Sequence, residues 1–213
     1  MGNIAVAVCV SCQQRKGKRT CPALSGDICP QCCGEKREES IACPLMCEHL
    51  VESRLHEKTV VDPSIRTFPE VEVTDQFMQR NRSLVQLLAT GTAMAALGVE
   101  GAVDRDVREA LDSLAASYRT REASGLIYDS RPANPYAEQI RQSIEKTIDS
   151  VREKLREQQG MYTIRDADIL GSLVFLVRLA AVNNNGRSRG KSFLHVVLGM
   201  AAEVMGRMEP KAE

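Results

Sequence analysis

The stretch CVSCQQRKGKRTCPALSGDICPQCCGEKREESIACPLMC, residues 9–47, holds all eight cysteines of a 213-residue chain. Cys9 and Cys12 form one C-x2-C pair and Cys29 and Cys32 a second; Cys43 and Cys47 are spaced by three residues, and Cys21 and Cys33 complete the set. Two residues between cysteines let a tight turn aim both sulfurs at one ion, and zinc takes four thiolate or imidazole ligands in a tetrahedron. Cys9, Cys12, Cys21, Cys29, Cys32, Cys33, Cys43 and Cys47 therefore suffice for two zinc ions. Cys32 and Cys33 are adjacent, so they serve different ions, or one is a spare thiol replaced by His49; sequence leaves this open.

The even count also fits a disulfide framework, but no secretory signal accompanies it, and paired C-x2-C units suit short-range disulfides poorly. The apolar stretch Ile4–Val10 has no preceding positive charge and no cleavage site, and Val6 stands where a myristoylation signal wants Ser or Thr. A cytoplasmic protein with no membrane segment is expected. Lys plus Arg equals Asp plus Glu at 28 each, so no net field draws the chain to nucleic acid or anionic lipid. Thiolate clusters on zinc are anionic, and Arg15, Lys16, Lys18, Arg19, Lys36 and Arg37 read first as their compensation.

Beyond the cysteines the chain reads as helical. Aromatic residues are only 4% and Trp is absent, so the core must be aliphatic. The polar segment 52–73, broken by Pro63 and Pro69, reads as a linker, with Val71 and Val73 as an edge strand if one forms. Thr74 and Asp75 open a helix with Phe77, Leu84, Leu88 and Ala95 on one face, closed by Gly98. A second starts near Asp104 and carries Val107, Leu111, Leu114 and Tyr118 up to Gly125. Asn134 and Pro135 begin a third, striped with Ile140, Ile144, Ile148, Val151 and Leu155 and ended by Gly160. Thr163 and Asp166 resemble a capping box for a fourth, apolar nearly all round from Ile169 to Val182, as a central bundle helix would be. Phe193, Val197, Ala201 and Val204 share a face of the last. The expected fold is mostly α: a zinc-binding module over 1–51, a linker over 52–73, an irregular five-helix bundle over 74–207 and a tail over 208–213.

Cys21-Pro22-Ala23-Leu24, Ile28-Cys29-Pro30, Cys32-Cys33-Gly34, Lys36-Arg37, Ile41, Cys43-Pro44, Cys47 and Leu50 together resemble the N-terminal module of an uncharacterised bacterial family. That family also joins its module to a helical C-terminal region, and Gly125-Leu126-Ile127-Tyr128 and Asn185-Gly186-Arg187 are similar to it as well. The resemblance implies two-zinc binding of a cross-brace or treble-clef kind, as in HIT- and MYND-type fingers.

Catalytic motifs are weak. Residues 186–192, GRSRGKS, have three residues between their glycines where a phosphate loop needs four, and they follow a helix where it needs a strand. His49, His56 and His195 stand in no nucleophilic motif, and Asp104, Asp106, Glu109 and Asp112 lie at ordinary helical spacings. The leading expectation is a non-enzymatic zinc-binding adaptor that binds a protein partner or another copy of itself. The alternative is an RNA- or DNA-binding zinc protein using the basic loops 15–19 and 187–191. A third is an enzyme with Tyr128, Arg131 and Tyr136 as the polar groups of a connecting segment.

Overall fold

The starts of three of the long helices are fixed by side chains that accept from backbone N–H groups at or next to the N-cap. Thr74 Oγ1 accepts from the Phe77 N–H at 3.1 Å, the Asp106 carboxylate accepts from the Val103 N–H at 3.0 Å, and Asn134 Oδ1 accepts from the Tyr136 N–H at 3.0 Å. Gly125 ends its helix at φ 69, a left-handed cap in which a side chain would be strained. The computed structural model describes residues 7–159 and 164–208. In chain order the elements are β1 (Arg19–Cys21), β2 (Gly26–Ile28), α1 (Pro30–Lys36), α2 (Glu48–Arg54), α3 (Asp75–Leu97), α4 (Asp104–Ser124), α5 (Pro135–Gln159), α6 (Asp166–Val182) and α7 (Ser192–Met208). The chain is mostly helical, with a small cysteine-rich region carrying one antiparallel strand pair.

Contacts divide the chain into two units. One comprises Met1–Thr59 together with Asn185–Lys191; the other comprises Val60–Asn184 and Ser192–Glu213. The second unit holds α3 to α7. There α6 is the buried centre, with Ile169, Leu173, Val174, Leu176 and Val177 fully enclosed, and it packs on α3 and α4. Most of the faces read from periodicity are buried: Val107, Leu111, Leu114 and Tyr118 on α4, Ile140, Ile144 and Ile148 on α5, and Phe193, Val197 and Ala201 on α7, whereas on α3 Leu88 and Ala95 are buried but Phe77 and Leu84 are half-buried, as are Val151 and Leu155 at the end of the α5 stripe. Burying each such aliphatic side chain is worth about 1.5–3 kcal/mol, which is what holds the bundle together.

Three details of this unit were not legible from pattern. Residues 71–73 form no strand; the Val71 N–H turns back to the Phe68 carbonyl at 3.0 Å. Ile65 and Phe68 are buried, and Arg178 donates to the carbonyls of Thr67, Phe68 and Val71, so this part of the 52–73 segment is pinned to α6. Asp104 accepts from the N–H groups of Phe193 and Leu194, both at 2.9 Å, and so caps α7 from the start of α4. Gly160, Thr163 and the side chain of Val204 fall outside the described residues; Arg165 holds the N-cap position of α6.

Asp112 is the one carboxylate in the bundle with an oxygen, Oδ1, that is buried without a hydrogen-bond partner among the described residues. Burial pushes its carboxyl from 3.8 up to about 6, against the pull of Arg108 and Arg66. The folded chain then holds this proton more tightly than the unfolded one, so the contribution of the neutral form is complete below pH 3.8 and is lost as pH rises through 6. Asp112→Asn should therefore raise stability at pH 7.5 by on the order of 1 kcal/mol. Urea melts followed by helical circular dichroism should show that gain shrinking towards zero at pH 4; an equal gain at both values would remove ionisation as the cause.

Candidate metal centre

The first unit is built around sulfur. The N–H of Gln13 closes a turn onto the Cys9 carbonyl at 2.8 Å, with Gln13 at φ 55, and this knuckle turns Cys9 and Cys12 the same way. The knuckle is laid on the β1–β2 hairpin by the bond from Val10 N–H to the Asp27 carbonyl at 2.9 Å, and the bond from Lys18 N–H to the Ile28 carbonyl at 3.1 Å closes the base of the hairpin itself. The approach is close enough that a Cβ at Gly17 would stand 2.6 Å from the Asp27 Cβ, and one at Gly26 2.6 Å from a Val10 methyl. Glycine is therefore required at both positions.

The hairpin delivers the chain directly into α1, where Cys29 is the N-cap and Pro30 occupies the first turn. The Cys32 N–H points at Cys29 Sγ at 3.4 Å, and the Cys33 N–H at the Cys29 carbonyl at 3.0 Å. Knuckle and helix start thus converge, and the sulfurs of Cys9, Cys12, Cys29 and Cys32 all lie within 4.8 Å of one another. A tetrahedral zinc with Zn–S bonds of about 2.3 Å has sulfur–sulfur edges of about 3.8 Å. The four sulfurs need contract only slightly to reach that figure, so the donor set fits a four-thiolate ion.

The surroundings favour charged sulfur. Burial pushes the Cys9 thiol up, yet the backbone N–H groups of Cys29, Cys12 and Ser11 outweigh it and bring the group down to about 6. The Cys32 N–H lowers Cys29 against burial, with help from the Arg15 guanidinium. Cys32 moves the other way, to about 11, because it shares its proton with Cys29 and is itself buried.

The other four cysteines do not converge in this way: among the described residues, Cys9, Cys12, Cys29 and Cys32 are the one set of sulfurs close enough to share an ion. Cys21, Cys33, Cys43 and Cys47 line a small enclosed cavity of about 20 Å³ with His49 beside them. Burial raises the Cys43 thiol, and the neighbouring Cys47 and Cys21 push the same way. Cys47 is also the N-cap of α2. Ile28, Ile41 and Leu50 are the fully apolar members of the core that these sulfurs share.

The basic residues have partners. Arg15 reaches Cys29 Sγ at 3.8 Å and Cys32 Sγ at 3.9 Å, and Arg19 reaches Cys33 Sγ at 3.6 Å. Lys36 donates to Ser11 and Arg37 to the His49 carbonyl. From the returning segment, Arg187 donates to the carbonyls of Arg37 and Gly34, and Lys191 to that of Cys43. Lys16, Lys18 and Arg189 are exposed. Tyr128, Arg131 and Tyr136, the polar groups considered for an enzyme, all stand in solvent.

Sequence reasoning missed the residue on which the returning segment is hung. Glu38 is fully buried at φ 53, and its carboxylate takes Arg54 bidentately at 2.6 and 3.0 Å, Asn185 Nδ2 at 3.0 Å and the Lys191 N–H at 2.8 Å. Its carbonyl accepts from the Arg189 N–H at 2.8 Å. A Cβ at Gly190 would meet Asn185 Oδ1 at 2.4 Å, so that loop too is closed by a glycine. No family model, curated protein or solved structure matches the chain.

Removing Arg15 should leave the four sulfurs in place but weaken their hold on zinc, since groups that orient and neutralise ligands are typically worth 10–100-fold in metal affinity. Arg15→Ala should show a loss of about that size in competition with a chromophoric chelator. Unchanged affinity would mean that the guanidinium contributes no more than solvent does.

Proposed function

We propose that this protein is a non-enzymatic zinc-binding adaptor, in which two four-thiolate zinc centres shape a recognition surface for a protein partner. The observation that carries the reading is the convergence of four cysteine sulfurs, from the knuckle and from the start of α1, within 4.8 Å of one another. Cys9, Cys12, Cys29 and Cys32 converge, and Cys21, Cys33, Cys43 and Cys47 line one small cavity; the proposed second centre takes these four, which would assign the adjacent Cys32 and Cys33 to different ions. Knuckle, hairpin and helix start also follow one another as they do in a treble clef, which supports the zinc reading of the first set.

The second set connects metal to surface. Cys47 begins α2, and around that helix Met46 is 87% exposed and Leu55 81% exposed, with Val51 between them. Apolar side chains displayed this openly on a metal-ordered helix are suited to a protein contact. The engagement of Arg15, Arg19, Arg187 and Lys191 within the module favours this over nucleic acid, because it leaves few cations for phosphates. Among the described residues no helix is long and apolar enough to cross a membrane, and a cytoplasmic setting would keep the thiols reduced.

Metal analysis of protein purified without chelator should find close to two zinc ions per chain. Cys32→Ser and Cys33→Ser should each lose one, and the double variant both. Loss of the same single ion from either variant would put both sulfurs on one centre and defeat the two-centre assignment.

Nucleic-acid binding should be weak and should not depend on the loop cations. A filter-binding titration at two salt concentrations, with wild type and a variant carrying Ala at Lys16, Lys18 and Arg189, tests this. Submicromolar binding that falls steeply with salt and vanishes in the variant would put the nucleic-acid reading first.

A further inference from the structure

Residues 185–191, Asn-Gly-Arg-Ser-Arg-Gly-Lys, belong to the cysteine-rich unit, yet they come to it from the loop between α6 and α7. The segment has no apolar side chain, and Gly190 is its one buried residue, so hydrophobic burial does little to hold it. What holds it is a set of hydrogen bonds to the end of α1 and the turn after it, 147 to 153 residues earlier in the chain. Contacts of this purely polar kind are those by which a receptor holds a peptide that can leave again.

Carbonyl oxygens take the cations. The Arg187 guanidinium spans those of Arg37 and Gly34, with Nη1 at 2.6 Å and Nη2 at 3.4 Å, and Lys191 Nζ reaches that of Cys43 at 3.2 Å. Carboxylates take the remaining donors: the buried Glu38 accepts from the Lys191 N–H at 2.8 Å and from Asn185 Nδ2 at 3.0 Å, and Glu39 accepts from the Ser188 hydroxyl at 3.0 Å. The Arg189 N–H closes on the Glu38 carbonyl at 2.8 Å, so the backbone of the segment is recognised as well as its side chains. The site also has support of its own. Arg54 holds the Glu38 carboxylate bidentately from α2, so the charge stays paired whether or not the segment is present. Glu38 itself stands at φ 53, a left-handed conformation that a side chain rarely adopts and that is found where a ligand is clamped. A planar fork across two carbonyls selects arginine, because a lysine ammonium has no second donor at that spacing.

We infer that this turn is a binding site for arginine-containing peptide segments, that residues 185–191 are its resident ligand, and that a basic segment of a partner protein binds by displacing them. The inference rests on the adaptor reading for there being a partner, while the site is drawn from Glu38, Glu39 and the carbonyls beside them. A resident tethered at both ends acts at an effective concentration on the order of mM, so it shields the site from free peptide until its own contacts are weakened.

Fluorescence anisotropy of a labelled peptide with the sequence of residues 183–193 tests this on the full chain. A variant carrying Arg187→Ala, Ser188→Ala and Lys191→Ala keeps the site and loosens its resident. It should bind one peptide, at least about tenfold more tightly than wild type does. The same peptide with Lys at the place of Arg187 should bind the variant about tenfold more weakly. Arg187→Ala alone is the milder variant, and its affinity should fall between those of wild type and the triple variant. Absence of saturable binding to Arg187→Ala or to the triple variant, in protein whose circular dichroism and zinc content match wild type, would overturn the site. Equal binding of the arginine and lysine peptides would overturn recognition of the fork. Wild type purified without zinc would count against the adaptor reading instead, and the peptide result would still decide the site.

Discussion

Four sulfurs held within 4.8 Å of one another are the constraint on which the N-terminal unit depends. Its strands are three residues long and its two helices seven, far below the length at which a helix is stable by itself. Its fully apolar interior comprises Ile28, Ile41 and Leu50, too little to offset the chain entropy of a unit this size. Cross-linking by metal is what small modules use in place of a larger core, and metal-binding free energy then becomes folding free energy. The close-packed glycines at 17 and 26 and the N-cap geometry of Cys29 are arranged so that the sulfurs meet, and each would lose its reason if they did not.

The charge of such clusters accounts for the unit's basic residues. A chain with balanced charge could still carry a local polycation, and the loops at 15–19 and 187–191 look like one in sequence. In the structure Arg15 and Arg19 turn to sulfur, while Arg187 and Lys191 cap carbonyl groups left open around α1 and Cys43. The buried Glu38 carboxylate then anchors residues 185–191 to the same turn, satisfied by Arg54, Asn185 and the Lys191 N–H as a buried charge must be. The chain passes between the two units at residues 59–60, 184–185 and 191–192, so residues 185–191 of the loop joining α6 and α7 belong to the cysteine-rich unit.

Much of this was legible in the sequence, because cysteine spacing and helical periodicity are local signals. The buried stripes of α4, α5 and α7 and the apolar girth of α6 appear directly as residue patterns, and the C-x2-C pairs locate the four converging sulfurs. What could not be read are the contacts that depend on distant residues. Glu38 sits in the run Lys36-Arg37-Glu38-Glu39, which looks like a solvated turn, and nothing local marks one of its two glutamates as buried. Asn185 reads as a helix stop, and its second role toward Glu38 lies 147 residues away. Val151 and Leu155 went the opposite way: they continue the core stripe of α5 by period, yet both are only half-buried.

The central claim is that the cysteines hold zinc through sulfur alone. X-ray absorption at the zinc edge measures this directly, because it reports ligand type, number and distance together. The account predicts four sulfur neighbours per zinc at about 2.3 Å and no nitrogen or oxygen shell. A first shell with nitrogen or oxygen at about 2.0–2.1 Å, or protein that folds with its cysteines oxidised and no zinc signal, would contradict it.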